Sequence, residues 1–378
     1  MLSPATYIDT THALLALVAQ LKDEPLLAVD TESNSTYVYQ EQVCLIQLST
    51  RTADYIVDPL MIEDMAPLGA LFASPTIEKV FHGAEYDVVC LKRDFGYTFN
   101  NLFDTMVAAR MCGFTSLGLG NMLDTFAGVT LDKSHQLDNW GQRPLPEESL
   151  LYAQMDTHFL PYLRDELKTR MTELDILEEA AELFYELTAL PASEPRTFDP
   201  QGFWRIGRPN RLNRRELMIL RELYTLREAL AEENDLPPYK VLNNTTLVEL
   251  ARNAPKNLVE LADVEGITPN IIRRYGSRLI SAIHDGRRAR KLPPAPADRT
   301  PERPVLLRYE ALYQWRKARA LARGVESDVI ISKQTLWEIA RKAPTTLDEL
   351  GAINQIGPWR LAAYGQDILH VLEESNEE

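Results

Sequence analysis

The sequence predicts an α/β domain, with a mixed β-sheet and flanking helices, followed by two all-α helical bundles. Short apolar strands near the start of the chain are followed by helical segments, a pattern typical of one sheet with helices on its faces. The rest is an internal repeat whose copies show helical periodicity and no strand pattern. A chain of 378 residues is long enough for two or three domains. We expect the domains at 1–195, 205–291 and 303–378.

Four short apolar runs predict the strands of the first domain. They are Pro25–Asp30, Val43–Leu48, Tyr55–Val57 and Ile77–Phe81. An amphipathic helix over Ala13–Leu21 precedes them, with Thr10 or Thr11 at its N-cap. The pattern turns helical from Glu85 onward. A long helix is predicted over Glu147–Thr172, and we expect Pro161 to break or kink it because proline lacks the backbone N–H.

The repeat behind this domain keeps one constant offset of 89 residues without a gap. Matching pairs include Leu223-Tyr224 with Leu312-Tyr313, Ala254-Pro255 with Ala343-Pro344, and Tyr275-Gly276 with Tyr364-Gly365. Stacked solenoid repeats are shorter, at ~20–50 residues, so two tandem globular modules are predicted. The segment 291–304 (KLPPAPADRTPERP) is expected to be a stiff linker between them. Trp315, Trp337 and Trp359 are expected to anchor the core of the second module.

Charge is distributed unevenly along the chain. The net charge is −15, with −18 over residues 1–190, +5 over 191–292 and −2 over 293–378. We therefore expect a phosphate backbone to be held by the middle of the chain. An acidic domain can still act on nucleic acid if divalent cations sit among its carboxylates.

Several functional classes are excluded by what the sequence lacks. No run of 18 apolar residues occurs, so we expect no membrane partner. No GxxxxGK[ST] motif occurs, so we expect no ATP site. The three cysteines, Cys44, Cys90 and Cys112, include no CxxC pair. They therefore predict neither a disulfide framework nor a zinc cluster, and they suit a reducing cytoplasm.

The first candidate site is Asp30-Thr31-Glu32, at the end of the first predicted strand. Alternation along a strand places Asp30 and Glu32 on one face. Two neighbouring carboxylates repel each other unless they are protonated or bridged by a cation. The pattern therefore fits a metal site, although a solvated turn after a strand has the same sequence.

Two further motifs carry acids. Asp87, at the end of HGAEYD, follows the fourth strand and would lie in the first turns of the next helix, where its charge is favourable. Tyr152 and Asp156 are four residues apart, on one face of the long helix. The alternatives are an ordinary N-terminal helix acid at Asp87 with a loop histidine at His82, and a surface aromatic and solvated acid at 152 and 156.

Taken together, four carboxylates and a tyrosine in the order D-x-E, D and Y-x-x-x-D resemble the DEDDy exonuclease signature. The surrounding segments LLAVDTES, KVFHGAEYDVVCLKRDFG and LLYAQMDTHFLPYL are similar as well. The tandem modules resemble the helicase-and-RNase-D C-terminal (HRDC) domain. Nearly the whole chain thus resembles the bacterial ribonuclease D family, which implies a ribonuclease-H-like 3′→5′ exonuclease domain followed by two HRDC modules.

The resemblance implies that Asp30, Glu32, Asp87 and Asp156 hold two divalent ions, Mg²⁺ or Mn²⁺. Oxygen ligands of this kind suit both ions. It also implies RNA with a free 3′ end as substrate, expected to include tRNA precursors, and nucleoside 5′-monophosphates as products. Tyr152 would orient the attacking water, because an unperturbed pKa near ~10 makes it a poor base. We expect the protein to act as a monomer.

The residues that would bind the RNA are predicted less directly. His82 lies within the second motif and could touch substrate. The basic middle of the chain offers Arg208, Arg211, Arg214, Arg215, Arg273 and Arg274, within runs that also contain Arg205, Arg221 and Arg227. These arginines could grip phosphates. They could instead form i,i+4 pairs with Glu216, Glu222 and Glu228 on a solvated helix face.

Two other functions fit the same motifs. A DNA repair exonuclease would use the same carboxylates, and only contact with the ribose 2′-hydroxyl distinguishes it from an RNA enzyme. A catalytically inactive RNA-binding scaffold would be favoured by an incomplete set of acids. All four acids and the tyrosine are present, which favours the enzyme.

Overall fold

The computed structural model describes residues 2–296 and 301–375, which fold into two compact units. The first unit consists of Met1–Ser33, Val43–Glu194 and Thr300–Glu378, and the second of Asn34–Gln42 and Pro195–Arg299. Within the described ranges, no helix has both the length and the apolarity needed to cross a bilayer.

The described residues form one six-stranded mixed sheet in the first unit. Its strands are β1 (Thr6–Ile8), β2 (Leu26–Ser33), β3 (Val43–Ser49), β4 (Asp54–Val57), β5 (Glu78–Phe81) and β6 (Leu102–Asp104). The spatial order is β1-β4-β3-β2-β5-β6. The pairs β2–β3 and β3–β4 are antiparallel, and the pairs β1–β4, β2–β5 and β5–β6 are parallel. The predicted mixed sheet is confirmed, and the two edge strands β1 and β6 are additions to the prediction.

Helices cover this sheet. They are α1 (Thr11–Leu21), α2 (Gly69–Ala73), α3 (Glu85–Phe95), α4 (Thr105–Met111), α5 (Leu119–Ala127), α6 (Glu147–His158), α7 (Leu160–Glu173) and α8 (Leu177–Ala189). The Thr10 side chain accepts a hydrogen bond from the backbone of Ala13, so it is the N-cap of α1. The predicted break in the long helix is confirmed, since α6 ends at His158 and α7 begins at Leu160. Pro161 then lies in the first turn of α7, where its missing N–H leaves no intrahelical bond unmade.

The remaining helices reproduce the repeat. They are α9 (Phe203–Gly207), α10 (Arg214–Glu233), α11 (Pro238–Val241), α12 (Asn244–Asn253), α13 (Leu258–Ala262), α14 (Pro269–Arg288), α15 (Arg303–Arg323), α16 (Ser327–Ile330), α17 (Lys333–Lys342), α18 (Leu347–Gly351) and α19 (Pro358–Ser375). Each of α10–α14 starts 89 residues before its counterpart among α15–α19. The predicted helical modules are therefore confirmed.

The segment predicted as a linker is only partly irregular. Residues 291–296 form no regular structure, whereas Arg303 and Pro304 belong to the first turn of α15. Residues 297–300 of that segment lie outside the described ranges, as do residues 376–378 at the end of the predicted third domain.

Within the first unit, the second module packs against the α/β domain through ion pairs. The Arg323 guanidinium lies 2.7 Å from the carboxylate of Glu179, whose side chain is 1% exposed. Arg110 pairs with Asp328 at 2.8 Å, and Arg360 pairs with Glu186. Because a buried carboxylate left unpaired is strongly destabilising, these contacts tie the module to the domain.

Candidate active site

Three of the predicted acids meet at the centre of the sheet. Strand β2 continues to Ser33, so Asp30 and Glu32 lie inside it and share a face, as alternation predicts. Helix α6 runs along β2, β3 and β4 and brings Asp156 to the same place. Carboxylate oxygens of Asp30, Glu32 and Asp156 lie within 4.8 Å of one another.

The fourth acid reaches this cluster from helix α3. Asp87 lies in the first turn of α3 and is 7% exposed. The hydroxyl of Thr31, itself buried, donates a hydrogen bond of 2.5 Å to the Asp87 carboxylate. Asp87 lies outside the group of three oxygens within 4.8 Å, but its charge acts on Glu32 and the charge of Asp30 acts on it, so it is a neighbour of the cluster. Thr31 was not predicted as a site residue, and its place between Asp30 and Glu32 in the motif is the signal that could have found it.

Burial raises the pKa of all four carboxylates, and the charge of a neighbouring acid adds to this for Asp30, Glu32 and Asp87. Burial, followed by the charge of Asp156, raises the pKa of Asp30 well above its usual range. Burial and the charge of Asp30 raise the pKa of Asp87 likewise. For Glu32, burial and the charges of the other three acids raise the pKa to about 10. Burial raises the pKa of Asp156 to about 7, against the opposing effect of the Tyr152 hydroxyl.

This donor set fits a divalent cation. Four buried carboxylates of like charge destabilise one another unless protons or cations neutralise them. Oxygens bound at 2.0–2.6 Å on opposite sides of one ion are about 4–5 Å apart, and oxygens of the three grouped carboxylates lie within 4.8 Å of one another. Their hard oxygen donors match Mg²⁺-like and Mn²⁺-like ions.

Tyr152 lies beside the acids on the same helix as Asp156. Burial, followed by the charges of Asp156, Glu32 and Asp30, raises its pKa, so the phenol keeps its proton at neutral pH. Its ring packs near the indole of Trp140, with ring centroids 6.2 Å apart, and Trp140 is 1% exposed. Trp140 was not predicted from the sequence as a site residue, and its buried indole limits where the phenol can point.

A pocket opens next to Tyr152 and Asp156. Its wall includes the apolar side chains of Leu131, Leu151 and Met155, together with His135. The loop between α5 and α6, which supplies Leu131 and His135, lies too far from the motifs in sequence for its position to be predicted. Apolar side chains beside a charged cluster can contact the flat face of a nucleobase.

His82 contacts the start of helix α4. Its Nδ1 atom lies 2.9 Å from the hydroxyl of Thr105. Burial lowers its pKa, and the charged group that opposes this shift is Asp104. These contacts fix the imidazole against the start of helix α4.

The arginines of the second unit fall into two groups. Arg208, Arg211, Arg214, Arg215, Arg273 and Arg274 are exposed, and none forms an ion pair with a described carboxylate. Arg227 is 7% exposed and donates to the backbone oxygen of Leu242, so its inclusion in a phosphate-binding face is wrong. Arg221 pairs with its neighbour Glu222, and Glu228 pairs with Arg196.

The i,i+4 ion pairs between arginines and Glu216, Glu222 or Glu228 are therefore absent from the described helix α10. Glu216 belongs to the capping box of α10, where its carboxylate accepts from the backbone N–H of Asn213. This leaves the exposed arginines with unneutralised charge.

Comparison with known proteins agrees with this architecture. Residues 5–172 match the family model described as a 3′-5′ exonuclease, and residues 216–283 and 306–372 each match the HRDC domain. Ribonuclease D of Gluconacetobacter diazotrophicus is 34% identical over 73% of this chain and 70% of its own length. Ribonuclease D of Acidiphilium cryptum is 30% identical over 96% of this chain and 92% of its own length.

A solved structure extends the likeness to the whole fold. The crystal structure of Escherichia coli RNase D, an exoribonuclease involved in structured RNA processing, superposes with a TM-score of 0.69 at 26% identity. The match covers 98% of this chain and 99% of that one. The chain therefore belongs to the ribonuclease D family, as a 3′→5′ exoribonuclease of the metal-dependent DEDD type.

Proposed function

We propose that the protein trims the 3′ ends of RNA, tRNA precursors among them, and releases nucleoside 5′-monophosphates. Asp30, Glu32, Asp87 and Asp156 would hold two divalent ions, Mg²⁺ or Mn²⁺, and Tyr152 would orient the attacking water. The observation that carries this proposal is the grouping of three half-buried carboxylates, with oxygens within 4.8 Å of one another. The hydrogen bond from Thr31 to Asp87 brings the fourth acid to that group.

The roles of these side chains follow from their protonation. When bound, such ions lower the pKa of a water molecule and neutralise charge on the leaving oxygen. Tyr152 keeps its proton, because burial and the neighbouring carboxylates raise its pKa. Its hydroxyl can therefore donate a hydrogen bond and fix the direction of the water, but it cannot remove the water's proton at neutral pH.

Binding of the RNA backbone is assigned to the second unit. Arg208, Arg211, Arg214, Arg215, Arg273 and Arg274 would contact phosphates, which is supported by their exposure and their lack of described carboxylate partners. His82 stays a predicted substrate contact, with its Nδ1 atom held by Thr105. We also propose the domain boundaries 1–195, 205–291 and 303–378, action as a monomer, and a cytoplasmic location.

Matched substrates test the choice of polymer. Single-stranded RNA and DNA of the same sequence, labelled at the 5′ end, are incubated with the protein and either Mg²⁺ or Mn²⁺. We expect stepwise shortening of RNA from its 3′ end and slower degradation of DNA. Equal or faster degradation of DNA would refute the assignment to RNA and favour a DNA repair exonuclease.

Replacing Thr31 with valine is expected to lower kcat about tenfold while KM for RNA changes little. Valine keeps the shape of threonine but cannot donate the hydrogen bond to Asp87. A hydrogen bond to a charged group contributes about 1.5–3 kcal/mol. The control is Thr31→Ser, which keeps the hydroxyl and should retain most of the activity. Steady-state kinetics distinguish the two, and equal kcat values for valine and serine would contradict the role given to Thr31.

A further inference from the structure

The second module carries an aromatic stack at its surface. The rings of Tyr309 and Trp337 lie 3.8 Å apart between centroids, at an interplanar angle of 9°. Tyr313 stacks on Tyr309 at 6.4 Å, and the Arg341 guanidinium lies 5.4 Å from the centre of the Trp337 ring. All three aromatic side chains are half-buried, and Arg341 is exposed.

Tyr309 packs against the core of the module, whereas Trp337 lies on the outer side of the stack. Trp315 and Trp359 pack against the apolar cluster of the module, as predicted. Trp337 is not part of that cluster, so the prediction that it anchors the core is wrong. Its main ring contact is Tyr309, which leaves part of the indole in contact with solvent.

The first module serves as an internal reference because the offset is constant. The positions equivalent to Tyr309, Tyr313 and Trp337 are Leu220, Tyr224 and Val248. Those three side chains are 0%, 8% and 2% exposed. The second module therefore has larger aromatic side chains on a face that is more open to solvent.

Helix α9 explains why this face is buried in the first module. Phe203 and Trp204 of α9 belong to the same apolar cluster as Leu220, and Phe198 stacks on Tyr224 at 5.6 Å. The described residues 289–296 and 301–302, which lie between α14 and α15, form no such helix. Leu306 is accordingly 40% exposed, whereas its equivalent in the first module, Leu217, is 8% exposed.

Two cations without an ion-pair partner among the described carboxylates lie on the helix that carries Trp337. Lys333, Trp337 and Arg341 follow one another at intervals of four residues, so they lie along one face of α17. Lys333 and Arg341 are exposed, and neither forms an ion pair with any described carboxylate. The module contacts the catalytic domain elsewhere, through Asp328 of α16 and Arg360 of α19.

We propose that a base of single-stranded RNA stacks on the Trp337 ring, which Tyr309 supports, in the place that the exposed Arg341 guanidinium covers in this structure. Arg341 and Lys333 would then lie next to the phosphates. Aromatic rings stack on every base with little sequence preference, and arginine adds a cation–π contribution. An apolar protein ligand would gain nothing from the two unneutralised cations. This inference rests on the proposed function, because RNA is taken to be the polymer that the protein binds.

The test is binding of a labelled, unstructured RNA of roughly 15 nucleotides to the full chain in EDTA, where metal-dependent cleavage cannot occur. We expect Trp337→Leu to weaken binding about tenfold, and Trp337→Phe to stay within about twofold of wild type, because phenylalanine keeps a stacking ring. Arg341→Gln should weaken binding more than Lys342→Gln. Lys342 is the neighbouring charge, already paired with Glu338 at 2.7 Å.

Each result decides the proposal. If wild type and Trp337→Leu bind the RNA with equal affinity, the proposed stacking site is overturned, and a protein partner becomes the ligand expected for this face. Since Arg341 is exposed, Arg341→Gln should fold normally, so equal effects of Arg341→Gln and Lys342→Gln would also overturn it. Binding in EDTA does not require cleavage. If the variants show the expected order of RNA affinities but the protein never shortens RNA, the proposed stacking site would stand and the proposed exoribonuclease function would fail.

Discussion

Replacing Asp30 or Asp87 with asparagine is expected to abolish cleavage of RNA while leaving RNA binding largely intact. Asparagine keeps the size of the side chain but removes the negative charge and one strong oxygen donor. Both acids belong to the buried cluster, and bound metal supplies several kcal/mol of stabilisation to charge that develops during the reaction. We therefore expect a loss of about a thousandfold or more in the rate of shortening of 5′-labelled RNA.

The matched control is Asp124→Asn, because Asp124 is an exposed carboxylate on α5 outside the cluster. It should cleave at close to the wild-type rate. RNA binding is measured in EDTA, where neither the variants nor the wild type cleave RNA. We expect the RNA affinities of the variants to lie within about threefold of the wild-type value, because the proposed phosphate contacts are made by arginines. If Asp30→Asn or Asp87→Asn still trimmed RNA at near the wild-type rate, the metal assignment would fail.

The sequence predicted the acids because their positions depend on local rules. Alternation along a strand groups Asp30 with Glu32, and helical spacing groups Tyr152 with Asp156. Which of these local pairs meet in space depends on sheet order, which the strand pattern does not specify. Thr31 shows the limit of local sequence rules, because its hydrogen bond to Asp87 joins residues that are 56 positions apart in the sequence.

Edge strands and buried charges were harder to predict for physical reasons. Strands β1 and β6 have three residues each, too few to display alternation. Arg227 and its equivalent Arg316 are each 7% exposed, and both donate to backbone oxygens, Leu242 and Ile331 respectively. Their recurrence at the repeat offset indicates a shared structural role. Trp337 was misjudged because burial of an aromatic ring depends on what covers it, and α9 has no described equivalent in the second module.

The metal-free protein is expected to lose thermal stability as the pH rises from about 5 to about 9, and divalent metal should restore it. In the unfolded chain, Asp and Glu have pKa values near ~4. In the folded protein the pKa is raised to about 7 for Asp156 and to about 10 for Glu32. Because the folded state holds these protons more tightly, its extra stability is present below pH ~4. It is lost as the pH rises through the folded values.

Melting temperatures across this pH range, in EDTA and with Mg²⁺ or Mn²⁺, measure the effect. A cation at a concentration of about 100 times its Kd adds about 2.7 kcal/mol to the free energy of unfolding. That gain should be largest at high pH, where the carboxylates are ionised. In EDTA, Asp30→Asn should melt higher than wild type at pH 8 and show a shallower pH dependence, because one repelling charge is gone. Asp124→Asn should follow wild type, since it lies outside the cluster. A wild-type profile in EDTA that stays flat from pH 5 to 9 would mean that the four acids do not repel one another, and with that the physical reason for a metal at this site would disappear.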